Sequence, residues 1–176
     1  MRLIAALAIA LAPLPLGAAS IQASNTSLSE GTRQGLALRA RYGIAAPAGI
    51  VTISIDSIAV HHISEEYSLI AWRDAAGVWT MSSVSEDGPG LLSIPRTIIP
   101  ETRRLLSPAE SRTLDRLIGM PGLYRELPPK PPRDIGVGAP FHSMEIATPR
   151  RHLVLPWMGR LKGKAGQIAD LLMGRG

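Results

Sequence analysis

The chain contains no cysteine. That removes disulfides, thiolate metal sites, thiol nucleophiles and lipid attachment through sulfur from consideration. Aromatic residues are scarce, at 4% with a single Phe, so aliphatic side chains and the three Trp have to fill the core. Lysine is nearly absent: Lys130, Lys162 and Lys164 are the only ones. The remaining positive charge is arginine, whose planar fork suits phosphate and carboxylate partners. The formal net charge of +5 is modest and speaks to solubility before it speaks to partners. Long apolar runs are lacking too, except in one place.

That place is the amino-terminal end. Met1-Arg2 is followed by Leu3 to Leu16 without a charge, then by Gly17-Ala18-Ala19-Ser20. A basic end, a short apolar run and a small-residue exit have the form of a secretory signal peptide. Small residues at Gly17 and Ala19 put the expected cut after Ala19, with Ser20 as the alternative. The run is short for a bilayer and contains Pro13 and Pro15, so a retained anchor is the weaker reading. The expectation is a signal peptide over 1–19 and an exported protein, periplasmic or extracellular, with no stable membrane span after cleavage. Removal leaves about 155 residues, one ordinary domain that has to stand on its core alone.

Residues 20–35 are polar and rich in Ser and Thr, and are expected to form a flexible leader to a domain over 36–176. Asn25-Thr26-Ser27 matches a glycosylation acceptor triplet, a pattern that chance also produces often. Leu36 to Ile44 reads as a first strand. Ile50 to Val60 reads as a second, because Ile53 and Ile55 alternate with Thr52, Ser54 and Asp56. The alternation changes parity at Asp56-Ser57, which predicts a bulge or a bend there. Tyr67 to Val84 reads as a hairpin turning through a four-residue loop, Asp74 to Gly77. Pairing outward from that loop sets Trp72 opposite Trp79 and Ile70 opposite Met81, all on one core face. A cross-strand aromatic pair of this kind stabilises a sheet by roughly 0.2–1 kcal/mol over an alanine pair. Leu91 to Ile99 is apolar but interrupted by Pro95 and Pro100, so any strand there lies at an edge.

Ser107-Pro108-Ala109-Glu110 is a helix start. Ser is the N-cap, Pro holds the first helical position and Glu closes a capping box. The helix is expected over Pro108–Ile118, with Leu114, Leu117 and Ile118 inward and Arg112, Asp115 and Arg116 in water. One more short turn is expected between Gly122 and Leu127. Pro128 to Pro132 suits a stiff polyproline II linker. Phe141 to Trp157 reads as a hairpin turning through Thr148 to Arg151, with Ile146 opposite Leu153 and Met144 opposite Leu155. Ala165, Ile168, Ala169 and Leu172 have helical spacing, giving a last helix over Lys164–Met173. The fold class is therefore α+β: a mostly antiparallel sheet of five or six strands built from hairpins and packed against two helices.

Candidate chemistry is thin. Of the four histidines, His61 and His62 are adjacent and point to opposite faces of an extended chain, and His142 and Glu145 differ in parity. A zinc site would need His61, His62, His142 or His152 to converge in three dimensions. No GxSxG elbow or SxxK pair is present, and Ser107 is explained by capping. Glu65-Glu66 and Glu86-Asp87 read as solvated loop charge rather than as a glycosidase pair. The segment from Gly159 to Ala165 suggests a phosphate loop, but its spacing is one residue short of GxxxxGK and Ala165 replaces the Ser or Thr that magnesium needs. What remains is a simple anion site at the last helix start. The candidate binding residues are Arg150, Arg151, Arg160, Lys162 and Lys164, which merge if the second hairpin turn lies near that helix. No catalytic residue, metal or cofactor is expected.

The order of elements (hairpins, a helix, another hairpin, a final helix) resembles that of small emfourin-type protease inhibitors. The resemblance covers element order only and carries over no residue. A secreted protease inhibitor is one alternative expectation. The leading expectation is an exported, non-catalytic binding domain that recognises an anionic envelope component or protein, and not nucleic acid. A small secreted hydrolase or metal-dependent enzyme is the rival.

Overall fold

The computed structural model describes residues 28–58, 66–87, 97–130 and 141–174. The expected signal peptide, residues 20–27, the pair His61-His62 with Glu65, and Pro131-Pro132 lie outside the described residues. The described elements are α1 (Glu30–Arg41), β1 (Val51–Ile58), β2 (Glu66–Arg73), β3 (Trp79–Asp87), β4 (Thr97–Leu105), α2 (Pro108–Gly119), a 3-10 turn η1 (Leu123–Arg125), β5 (Phe141–Ala147), β6 (His152–Met158) and α3 (Gly163–Leu172). The six strands form one antiparallel sheet in the order β4-β3-β2-β1-β5-β6. This is the α+β arrangement expected, with three helices instead of two.

The extra helix is α1, which corrects two expectations. Residues 30–35 belong to a helix and not to a flexible leader, and Leu36 to Arg41 continues that helix instead of forming a strand. Ser29 caps it by accepting from the Thr32 N–H, with Glu30 in the first turn and Arg39 and Arg41 in the last, charges that complement the helix dipole. Its buried face is Gly31, Thr32, Gly35, Leu38 and Arg39. These positions have helical spacing, but only one of them is a large apolar residue, so hydrophobic periodicity gives no sign of the helix.

The apolar core lies on the other face of the sheet. Ile53 and Ile55 of β1, Leu69 and Ala71 of β2, Met144 and Ile146 of β5, and Leu155 and Trp157 of β6 pack with Leu114 and Leu117 of α2, Leu123 of η1, and Ala165, Ile168 and Leu172 of α3. The capping box on α2 forms as the sequence predicts. The β5–β6 register sets Ile146 against Leu153 and Met144 against Leu155, again as predicted, and Ala147 against His152.

The first hairpin differs by one residue. Trp79 pairs with Arg73, Thr80 with Trp72, and Met81 with Ala71. The cause is local. The Asp74 N–H donates to the Val78 carbonyl, the Gly77 N–H donates to the Asp74 carbonyl, and Gly77 has φ of 85°. Three residues, Ala75 to Gly77, thus form the loop, closed by a left-handed glycine. A one-residue shift moves side chains to the opposite face. Trp79 is in the apolar core, while Trp72 is half-buried on the α1 side under the Arg103 guanidinium, 5.2 Å from its ring. Of the bulge or bend expected at Asp56-Ser57, the bulge is absent: β1 runs in unbroken register with β5 from Thr52 to Ile58. β4 extends through Pro100 to Leu105 and is an edge strand. Pro156 lies on β6, the opposite edge, where a missing N–H interrupts no ladder bond.

Ile70 and Val84 are buried on the α1 side, but most of that layer is polar: Ser54, Asp56, Ser68, Ser82 and Glu145 all point into it and are buried. Gly35 is what allows α1 so close. A Cβ on it would come within 1.8 Å of Asp56 Oδ1 and 2.9 Å of Ser68 Oγ. Gly35→Ala is expected to lower stability by about 1–3 kcal/mol through overpacking, and Leu114→Ala by about 2–5 kcal/mol through a cavity. Both are read as lowered urea midpoints. A Gly35→Ala protein as stable as the parent would contradict this seating of α1.

Candidate functional site

The five candidate basic residues divide between two places. Arg150 and Arg151 are exposed at the β5–β6 turn, which Thr148 holds by accepting from the N–H groups of both through Oγ1. Arg151 lies over the Tyr124 ring of η1 at 5.1 Å, an arrangement that orders a guanidinium while leaving its charge in water. Lys164, in the first turn of α3, brings its amino group beside Gly122: a Cβ there would lie 3.2 Å from Nζ. The η1 segment therefore brings the hairpin turn and the start of α3 together. Lys162 holds the N-cap position of α3. Arg160 is directed elsewhere, with Nη2 3.6 Å from Asp170 Oδ2. It borders a cleft of about 370 Å³ that Trp157, Leu161, Ala169 and Met173 also line. Among the described residues, Arg150, Arg151, Lys162 and Lys164 enter no salt bridge, and Arg125 adds an exposed cation on η1.

The start of α3 is not an open anion site. The Lys164 N–H donates to Glu126 Oε1 at 2.8 Å and the Ala165 N–H to Glu126 Oε2 at 3.1 Å. A carboxylate from the same chain thus occupies the place where an external anion was expected to bind, and it satisfies two of the donors a helix leaves unpaired at its start. The expectation that these N–H groups recognise a partner is corrected: they hold η1 to α3. The exposed side chains around them are what is left for an outside anion.

A second cluster lies on the α1 face. Glu145, on β5, accepts from the Ser29 N–H at 2.9 Å and from His152 Nε2 at 2.8 Å. Burial acts to raise its pKa, but bonds from Thr32, His152 and Ser29 outweigh this and hold it below the ordinary carboxylate range. Ser29 Oγ donates to Thr32 Oγ1, which in turn shares a 2.8 Å bond with Ser54 Oγ. A carboxylate–imidazole pair next to hydroxyls has the parts of a nucleophilic relay, but among the described residues no hydroxyl is bonded to His152, so they supply no nucleophile in contact with the base. His142 faces the opposite side, where Tyr67 Oη lies 3.1 Å from its Nδ1 and Trp157 lies against its ring. His142 and His152 therefore do not converge, and no group of three metal-ligating side chains is found among the described residues. No helix among them is long and apolar enough to cross a membrane.

Arg39 is the largest polar group in this layer, 1% exposed. Its Nε donates to Ser68 Oγ, its Nη1 to Ser82 Oγ, and its Nη2 to the carbonyls of Ser68 and Ser82, all within 3.0 Å. Glu101 Oε1 lies 3.8 Å from Nη1. At the helix end, Arg41 bridges Glu66 and Glu86, two carboxylates directly opposite in the β2–β3 register that would otherwise repel each other. Arg39, Asp56, Tyr124 and Glu126 were not singled out from sequence. Ser54 and Asp56 on an alternating strand were the available signal, but alternation alone reads as a solvated face.

No protein-family model, curated protein or solved structure matches this chain.

Glu126→Ala is expected to lower stability by about 1 kcal/mol, the usual cost of a lost N-terminal cap, with Glu126→Gln retaining part of it. Urea unfolding measures both. No change in either variant would mean that the Glu126 bonds contribute nothing.

Proposed function

We propose that this protein is an exported, non-catalytic binding domain that recognises an anionic partner through Arg150, Arg151 and Lys164. The carrying observation is the seating of Arg151 on Tyr124, beside a 3-10 turn that also meets Lys164. This gathers three cations from elements far apart in sequence on one rim, with no salt bridge to them among the described residues. Lys162 extends the rim. Arg160, turned toward Asp170, is outside it. The amino-terminal run of Leu3 to Leu16 supports the exported part of the reading. An exported cationic rim would meet sulfated or carboxylated glycans, anionic headgroups and acidic protein surfaces. Among the described residues no hydroxyl is bonded to His152, which gives the hydrolase reading no comparable support.

The test is binding to heparin, a sulfated polyanion, at low salt. The parent is expected to bind, and Arg150→Ala with Arg151→Ala together are expected to weaken binding about tenfold. Arg160→Ala is expected to leave it unchanged. A parent that does not bind, or a double variant that binds like the parent, would overturn the assignment of the rim.

A further inference from the structure

The α1 face contains a group that the binding rim does not use. Asp56 on β1 is 1% exposed, and neither carboxyl oxygen makes a hydrogen bond. α1 seals it, because the helix backbone at Gly35 lies directly over Oδ1. The overlap that one added carbon would make leaves no space for a cation between them. A carboxylate here would be sealed from solvent with only the Ser54 and Ser68 hydroxyls near it, a costly situation for a buried charge.

The charges facing this position come from several elements. From α1, the donors of Arg39 are committed to Ser68 and Ser82. From β4, Glu101 accepts from Ser82 Oγ and lies by Arg39, with Arg103 behind it. From β5, Glu145 repels a second negative charge, and His152 of β6 is paired with it. β2 contributes the hydroxyl of Ser68, and β1 that of Ser54.

We propose that α1 is a proton-controlled strap: it stays docked on the sheet while the Asp56 carboxyl carries a proton, and it lifts when that proton is lost, opening the polar face of Ser54, Asp56, Ser68 and Ser82. The helix suits this role because polar bonds and a glycine contact, and little apolar area, hold it in place. A layer bonded in this way exchanges its contacts for water at small cost once one charge has to be solvated.

Burial raises Asp56 from 3.8 to about 7, against weaker lowering by Ser68, Ser54 and Arg39. With α1 lifted, the carboxyl returns to its ordinary value. Between those two values the docked state holds the extra proton. Docking is therefore strongest below the lower value and weakens by about tenfold per pH unit up to the higher one, about a thousandfold in all, then stays level. Glu145 acts with the opposite sign. Its carboxylate accepts from the Ser29 N–H, so that contribution is lost as pH falls through its lowered value. Taken together, docking has its maximum near the ordinary carboxylate range, limited by Glu145 on the acid side and by Asp56 on the alkaline side.

The test is amide hydrogen exchange on the full chain, read as the protection of α1 relative to α2. The ratio is expected to fall at least about tenfold between about pH 5 and about pH 8.5 in the parent, and to stay level in Asp56→Asn. A level ratio in the parent, or the same fall in Asp56→Asn, overturns the proposal. If Asp56→Asn does not fold, carbon-13 titration of the Asp56 carboxyl in the parent decides. A midpoint near neutrality supports the strap, and one in the ordinary carboxylate range overturns it.

Discussion

A guanidinium sealed between a helix and a sheet has to find acceptors or destabilise the fold, and Arg39 finds four of them on two adjacent strands. Serines at 68 and 82 supply both hydroxyl and carbonyl, so one side chain from α1 ties β2 to β3. This requirement sets the character of the whole layer. The strands must present small hydroxyl residues where an ordinary sheet would present Val or Ile. The helix must approach closely enough for the guanidinium to reach, which Gly35 permits. Burying a charge in this way gives position more than stability. It specifies where α1 sits on a surface that has little apolar shape of its own.

The two faces of the sheet thus solve the burial problem differently. Toward α2 and α3 the strands are continuous with a close-packed aliphatic core, and three-dimensional order there follows from area removed from water. Toward α1, order follows from hydrogen-bond geometry, in which a removed partner leaves another group unsatisfied. The same logic closes the start of α3, where Glu126 supplies the anion that the helix terminus favours. The chain satisfies the buried Arg39 guanidinium and the start of α3 internally. Arg150, Arg151 and Lys164, which enter no salt bridge among the described residues, lie at the periphery, on the η1 and β5–β6 rim.

Legibility followed the physics of each element. α2 was readable because Ser107, Pro108 and Glu110 are local signals whose meaning does not depend on distant residues, and α3 because Ala165, Ile168, Ala169 and Leu172 line one apolar stripe. The β5–β6 register was readable because Thr148 to Arg151 makes a compact turn with apolar residues in phase on either side. The β2–β3 register was not, because Asp74 to Val78 allows two closures that differ by one residue, and the phase of the tryptophans alone does not choose between them. α1 was hidden because its inward face is Gly31, Thr32, Gly35, Leu38 and Arg39. Leu36 and Leu38, spaced by one residue, resemble a strand instead.

By itself the sequence determined what depends on near neighbours: the helix starts, the tight turn at Thr148, the α+β class, and the exclusion of any chemistry that needs a thiol. It also placed the basic residues, though not their grouping. Only the tertiary structure decided which face of the sheet is apolar and which is polar. It also decided that Asp56 lies under a helix instead of in water, that Glu126 fills the anion position at α3, and that Arg151 and Lys164 meet through η1 while Arg160 turns away. The reason is range. A cap or a turn is settled by atoms a few residues apart, whereas the partner of a buried charge is set by how distant strands and helices are stacked, which no short window of sequence contains.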